Sequence, residues 1–234
     1  MSTRISKYNE LDSLEPTIPL GTALLILLGV AAGTLGGLFV LQSWLPSLSA
    51  SLFGAQPKAY WDLARSSGMA AYLLMWLSVV FGLLITNRLA RMWPGGPTAF
   101  DLHQFASLLG LAFVVFHGLI LLGDQYIKYT SAQLLIPFGS VNFQPFWVGI
   151  GQLAFYLLIP LTFSFYLRRQ IGAGLWRAIH FGTFLAFAMV TVHGLLAGSD
   201  TLNGYVFVMY AFTTLSVIFL TIYRMLSVVL QPAT

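Results

Sequence analysis

The chain has 234 residues, 58% of them hydrophobic and 8% charged, with a mean hydropathy of +0.83 and a formal charge of +4. A soluble domain carries roughly 25% charged residues, so the composition excludes a soluble globular protein and marks an integral membrane protein. Cysteine is absent, which removes structural disulfides, iron–sulfur clusters, Cys-ligated zinc and thioether-attached haem. No Lys/Arg-rich run supports nucleic-acid binding, and the basic excess reads as membrane topology.

Residues 1–17, with Glu10, Asp12 and Glu15, are read as a cytoplasmic N-terminal segment. A spanning helix needs about 20 mainly apolar residues. The first candidate, Ile18–Trp44, is far longer than the apolar core of a secretory signal and is read as a retained helix. The second, Ala64–Leu89, is stopped by the Pro and Gly residues of "RMWPGGPTAFD" (Arg91–Asp101). The third, Leu102–Leu122, leads into the one long connection, Asp124–Pro145, whose Leu134–Phe138 stretch suits the membrane interface. The fourth, Phe146–Leu167, contains Pro160, placed to kink it, which neighbouring helices can accommodate in a membrane. Leu175–Ala197 and Val206–Val229 complete a transmembrane domain over residues 18–230, followed by a tail of 231–234. Arg4, Lys7, Arg88, Arg91, Arg168, Arg169, Arg177 and Arg224 fall on one side, against Lys58, Arg65 and Lys128 on the other. The expected fold class is therefore all-α integral membrane, with six transmembrane helices and both termini cytoplasmic.

All four histidines lie on two helices, His103 and His117 on the third, His180 and His193 on the fifth. One antiparallel helix separates these two, so they run in the same direction and equal positions lie at equal depth. His103 and His180 follow the cytoplasmic entry, whereas His117 and His193 lie near the outer end. At a rise of about 1.5 Å per residue, spacings of 14 and 13 put the two levels roughly 20 Å apart. A lone imidazole in hydrocarbon is costly and needs a partner. Two imidazoles facing each other across a bundle are what bis-histidine haem ligation requires, so each layer is expected to hold one non-covalent b-type haem. At about 100° per residue, a spacing of 14 returns to within about 40° of the same face, but 13 falls about 140° away; the third helix fits an ideal wheel better than the fifth. Ala106, Ser107 and Gly110 lie between the ligands of the third helix, where small residues admit either a flat macrocycle or an ordinary neighbouring helix. Proton and hard-ion transport usually need carboxylates within the membrane, whereas Asp62, Asp101, Asp124 and Asp200 all sit at helix ends.

The stretches "ARSSGMAAYLLMWLSVVFGLLITNR", "LHQF" with "FHGL", "LIPFGSVNFQPFWVGIGQLAFYLL" and "WRAIHFGTFLAFAMVTVHGLLAGSD" resemble the ferric-reductase-like transmembrane domain. That domain is the haem-bearing part of NADPH oxidases, iron reductases and the bacterial methionine-sulfoxide reductase haem subunit. The resemblance covers about residues 65–200, and the oxidases show the same 14 and 13 spacings. It implies two complete bis-histidine sites, His103/His180 inner and His117/His193 outer. It also matches Arg65 to the family's motif arginine, which lies near the oxygen-reducing edge in the oxidases. The flavin and nicotinamide domains that follow the last helix in the oxidases have no counterpart before Thr234, and no G-x-G-x-x-G follows a strand. No FAD or NAD site is expected within the sequence.

Among surrounding residues, Arg177 lies one turn before His180, and Arg168 and Arg169 end the preceding helix. All three are candidates to pair with inner-haem propionates, the alternative for Arg168 and Arg169 being topology-setting charge. Arg65 is the outer-haem counterpart. Phe184 and Phe187 lie between the histidine levels, either filling the gap between macrocycles or simply packing.

The function expected is a di-haem b-type membrane cytochrome in a bacterial plasma membrane. It would carry single electrons from a separate flavoprotein reductase or a quinol to an acceptor at the outer face. Bond-making catalysis would occur only at the outer haem edge, if oxygen or ferric iron docks there. One alternative is a non-enzymatic conduit subunit feeding an extracytoplasmic partner oxidoreductase. The other is a haem-free, histidine-based metal-binding or transport protein.

Overall fold

The computed structural model describes residues 15–46, 58–124, 126–141 and 143–230. Arg4, Lys7, Glu10 and Asp12 of the N-terminal segment, and the 231–234 tail, lie outside the described residues. Among those described the regular structure is all helical: α1 (Leu20–Ser43), α2 (Lys58–Thr86), α3 (Gly96–Ile120), α4 (Ser131–Leu135), α5 (Pro145–Ile171), α6 (Ala173–His180), α7 (Gly182–Ala197) and α8 (Gly204–Val229). Six spans are long and apolar enough to cross a membrane, made by α1, α2, α3, α5, the α6–α7 pair and α8. The protein is a multi-pass membrane protein.

The helices outrun their apolar cores. The second span starts at Ala59 and the third at Gly96, several residues before Ala64 and Leu102, where hydropathy alone begins them. Hydropathy reports depth in the bilayer, whereas helix length is set by backbone hydrogen bonds, and polar residues such as Asp62 and Asp101 are tolerated in the emergent turns. Pro97 opens α3 and Pro145 opens α5, where a missing N–H leaves no bond unmade. Gly172, with φ +80°, ends α5 in a conformation that favours glycine. Pro160 lies inside α5, which runs on past it to Ile171.

The fifth span is two helices. α6 stops at His180 and α7 starts at Gly182, with Phe184 N–H bonding the Phe181 carbonyl in a tightened i→i−3 turn of 3.2 Å. Such a turn advances each residue about 120° instead of about 100°. That swings His193 back toward the face of His180, part of the rotation an unbroken wheel leaves unaccounted for.

Packing is inside-out relative to a soluble core. Ala99, Ala154 and Ala186 are completely buried, whereas Phe212, Leu215, Phe219 and Met225 of α8 face outward. Lipid is as apolar as leucine, so close backbone approach at small residues, with polar links between helices, holds the bundle. Tyr72 to Thr213 (2.6 Å) and Trp76 to Ser216 (2.8 Å) are such links between α2 and α8. The closest partnerships are α2 with α3 and α5 with α7; α2 also touches α7, and α3 touches α5. The result is a four-helix ring in the order α2, α3, α5, α7, flanked by α1 on α3 and α8 on α2. The two histidine-bearing spans, α3 and the α6–α7 pair, stand on its diagonal with almost no backbone contact between them.

The 124–144 connection folds back on α5. Gln152 Nε2 donates to the carbonyls of Gln133 (2.7 Å) and Leu134 (2.8 Å), and the Phe138 N–H bonds Gln152 Oε1. The Tyr156 hydroxyl bonds the Leu135 carbonyl. Leu135, Ile136 and Phe138 are exposed, as suits a segment at the interface. In the same loop, burial pushes the Tyr129 hydroxyl pKa up, against a hydrogen bond with Ser140 that lowers it.

Candidate functional site: two imidazole pairs

The structure brings His103 to His180, with ring centroids 6.0 Å apart and planes at 72°, and His117 to His193, at 6.4 Å and 77°. These pairs bridge two helices that otherwise stand apart, one pair toward each end of the bundle.

Three of the rings are seated in the same way. His117 Nδ1–H donates to the Ala64 carbonyl (2.7 Å), His103 Nδ1–H to the Ser78 carbonyl (2.7 Å) and His193 Nδ1–H to the Trp147 carbonyl (2.9 Å). A carbonyl only accepts, so Nδ1 carries the proton and the lone pair of each neutral ring lies on Nε2. Each acceptor is a helix carbonyl already pointing along the axis, and the residue four positions on is glycine in every case: Gly68, Gly82 and Gly151. A methyl at these positions would lie 3.0 Å from His117 Nδ1, 3.5 Å from His103 and 2.6 Å from His193 Nδ1. At Gly68 and Gly151 the missing methyl therefore lets the ring come alongside the helix and reach its carbonyl, whereas at Gly82 a methyl would make ordinary contact with His103. The two seats on α2 are fourteen residues apart, as are the two histidines on antiparallel α3, so both rings meet α2 in one register. His180 differs: its Nδ1 is buried without a hydrogen-bond partner, and its ring stacks on Trp176 at 5.2 Å and 25°.

Between His103 and His180 lies a small cavity of about 50 Å³, partly open to the outside, with Ser78, Ser107, Gly110, Thr162 and Thr183 among its lining. Ser107 bonds Ser78 (2.6 Å) and the His103 carbonyl (2.7 Å), fixing the turn that carries His103. Gly110 also serves the α2 contact, since a methyl there would lie 3.4 Å from Leu74 Cβ. Ala106 is buried in the helix packing.

The arginines are placed unevenly. Arg65 sits at the outer end of α2, where its NH1 bonds Asp200 (2.8 Å) and Ser199 (3.2 Å) and its NH2 bonds Asp62 (3.0 Å). Two carboxylates thus occupy it, so Asp62 and Asp200 do more than mark helix ends. Arg177 is half-buried one turn before His180. Arg168 is buried over the Phe165 ring at 3.8 Å, and Arg169 pairs with Glu15 at 2.6 Å. Phe187 stacks on Tyr72 at 5.8 Å, and Phe184 joins the same α2–α7–α8 cluster, so both are engaged in packing.

Sequence reading missed the three glycines and their carbonyls. The signal available was a glycine facing three of the four histidines in the antiparallel register, which becomes visible only once helix partners are known. Among the described residues no group of three or more His, Cys, Asp or Glu is placed to hold a metal ion.

Fold and site together define a six-span helical membrane protein with two half-buried imidazole pairs. No protein-family model, curated protein or solved structure matches the chain.

Proposed function

We propose that the chain is a di-haem b-type membrane cytochrome of the ferric-reductase-like kind, passing single electrons between the two faces of the membrane. The observation that carries this reading is the pair separation. With metal–imidazole bonds of about 2.0–2.1 Å and a ring radius of about 1.1–1.2 Å, two imidazoles in line on one metal have centroids roughly 6.2–6.6 Å apart, close to the observed 6.0 and 6.4 Å. Donation of the far ring N–H to a carbonyl is also the usual arrangement of a metal-ligating histidine, fixing its orientation and raising its basicity. A bare metal ion usually takes three or four protein donors. Two histidines and no third ligand suit a metal whose other four positions a macrocycle fills.

When bound, haem supplies the reversible one-electron chemistry of iron. The chain's own contribution is to hold four imidazoles at two depths, roughly 20 Å apart by helix rise. On this reading His103 and His180 hold the inner group and His117 and His193 the outer. Arg177 and Arg168 lie at the inner end as partners for propionates. The arginine-rich end faces the cytoplasm of a bacterial cell, and both termini lie there. With haem bound, the inner site would take electrons from a separate flavoprotein or a quinol, and the outer site would pass them to an acceptor or partner oxidoreductase.

A dithionite-reduced minus air-oxidised spectrum of detergent-purified protein, with a pyridine-haemochrome count per polypeptide, tests the proposal. Two b-type haems are expected, with His103→Ala and His193→Ala each losing one. No haem after expression with ample haem supply would sink the reading and leave a haem-free metal-binding or transport role.

A further inference from the structure

Six described arginines lie at the His103/His180 end of the bundle, and they fall into two groups. On the α5–α6 side, Arg168 lies over the Phe165 ring and Arg169 pairs with Glu15 (2.6 Å). On the α2–α8 side, Arg88, Arg91 and Arg224 make no ion pair with any described residue. The supply of acid explains the split. Among the described residues that end carries two carboxylates, of which Glu15 holds Arg169 and Asp101 accepts from the Thr17 hydroxyl (2.7 Å).

Local structure gathers the three unpaired arginines. Asn87 Nδ2 donates to the Leu220 carbonyl (3.2 Å), which ties the end of α2 to α8. Arg224 lies one turn beyond Leu220, on the stripe of Tyr210, Thr213, Val217 and Leu220 that packs inward, and is half-buried. Arg88 follows Asn87 directly. A 3₁₀ turn over Leu89–Arg91, with the Arg91 N–H on the Arg88 carbonyl (3.2 Å), then sets Arg91 three residues on. That spacing keeps the two arginines on one side of such a turn; both are exposed, while Ala90 between them is buried. The corner is apolar as well as basic. Trp93 is exposed two residues after Arg91, and the turn of α8 that carries Arg224 also carries exposed Ile222, Tyr223 and Met225.

We propose that this corner binds the headgroup of an anionic phospholipid, with Arg88, Arg91 and Arg224 on its phosphate and its chains along α8. Charge complementarity selects that occupant. Three guanidinium groups without carboxylates need an anion from outside the chain, and phosphate oxygens accept charge-assisted bonds from them. A soluble anion would leave the apolar side chains of the same turn uncovered, whereas a phospholipid meets both. Basic residues clustered at the end of a span are the usual contact for anionic lipid, and Trp93 adds an amphipathic ring at headgroup level. The site lies on the α2–α8 seam, apart from the imidazole pairs, and does not rest on the di-haem reading.

Native mass spectrometry of the detergent-purified protein with added phosphatidylglycerol or phosphatidylcholine tests this. The protein is expected to retain phosphatidylglycerol in preference to phosphatidylcholine. Arg88→Gln, Arg91→Gln and Arg224→Gln should each weaken the tightest phosphatidylglycerol binding about fivefold, the equivalent of about 1 kcal/mol per arginine. Arg169→Gln removes the same charge at the same end, but from an arginine that Glu15 already holds, and should leave that binding unchanged. Equal retention of the two lipids would overturn the proposal and leave these arginines to a protein partner or to topology alone. An equal loss in Arg169→Gln would overturn it in favour of net charge, and displacement of the lipid by inorganic phosphate in favour of a soluble anion. Should one arginine variant fold poorly, the preference of the unaltered protein and the other two variants still decide.

Discussion

At the scale of single residues, the unit of this site is a histidine together with a carbonyl and a glycine on the next helix. A neutral–neutral hydrogen bond contributes about 0.5–1.5 kcal/mol net, and an unsatisfied buried donor costs about 1–3 kcal/mol, so the seat settles both the tautomer and the orientation of the ring. The distances rank the glycines. Gly82→Ala adds a methyl 3.5 Å from His103, Gly68→Ala one 3.0 Å from His117, and Gly151→Ala one 2.6 Å from His193. The temperature at which haem is released on heating should therefore be unchanged in Gly82→Ala, lowered in Gly68→Ala and lowered most in Gly151→Ala. Equal effects at all three positions would show that the glycines do not seat the rings. The histidines were legible as isolated polar residues in apolar runs. Their acceptors were not, because a backbone carbonyl is the same in every residue and no side-chain identity marks it.

At the scale of helices, the sequence showed six spans through hydropathy, but their ends and the break in the fifth depend on hydrogen bonding. The break at Phe181 matters because a spacing of 13 on an ideal helix points His180 and His193 apart, and the tightened turn removes part of that difference. The arginine at the outer end belongs to this scale as well. Arg65 joins α2 to the turn after α7 through Asp200, with both side chains about one-third exposed, so the pair contributes about 0.2–1 kcal/mol. Arg65→Ala should lower the unfolding temperature slightly and keep both haems. Loss of the outer haem in that variant would instead assign Arg65 to a propionate. Its place at the outer end of α2 was legible in the sequence, and Asp62 lies one turn before it on the same helix, but Asp200, 135 residues on, meets it only in the folded bundle.

At the scale of the whole molecule, the six crossings put residues 15 and 230 at the same end, and Glu15, Thr17 and Ile18 meet Arg169, Asp101 and Tyr166 there. The absence of native cysteine makes orientation directly measurable with single introduced thiols. Leu202 and Met92 are both exposed at opposite ends. A membrane-impermeant maleimide should label Leu202→Cys in intact cells and Met92→Cys only after permeabilisation; the reverse pattern would invert the direction of electron flow proposed here. Composition and spacing by themselves determined the class of protein, the number of spans and the two depths at which histidines meet, because each is a property of a single helix read along its own axis. Only the tertiary structure decided that α3 and the α6–α7 span stand on a diagonal, that three rings find main-chain carbonyls, two of them beside a glycine the ring needs, while His180 finds none, and that Arg65 is held by carboxylates. Those outcomes depend on the register between antiparallel neighbours, which hydropathy does not encode because every apolar face satisfies lipid equally well.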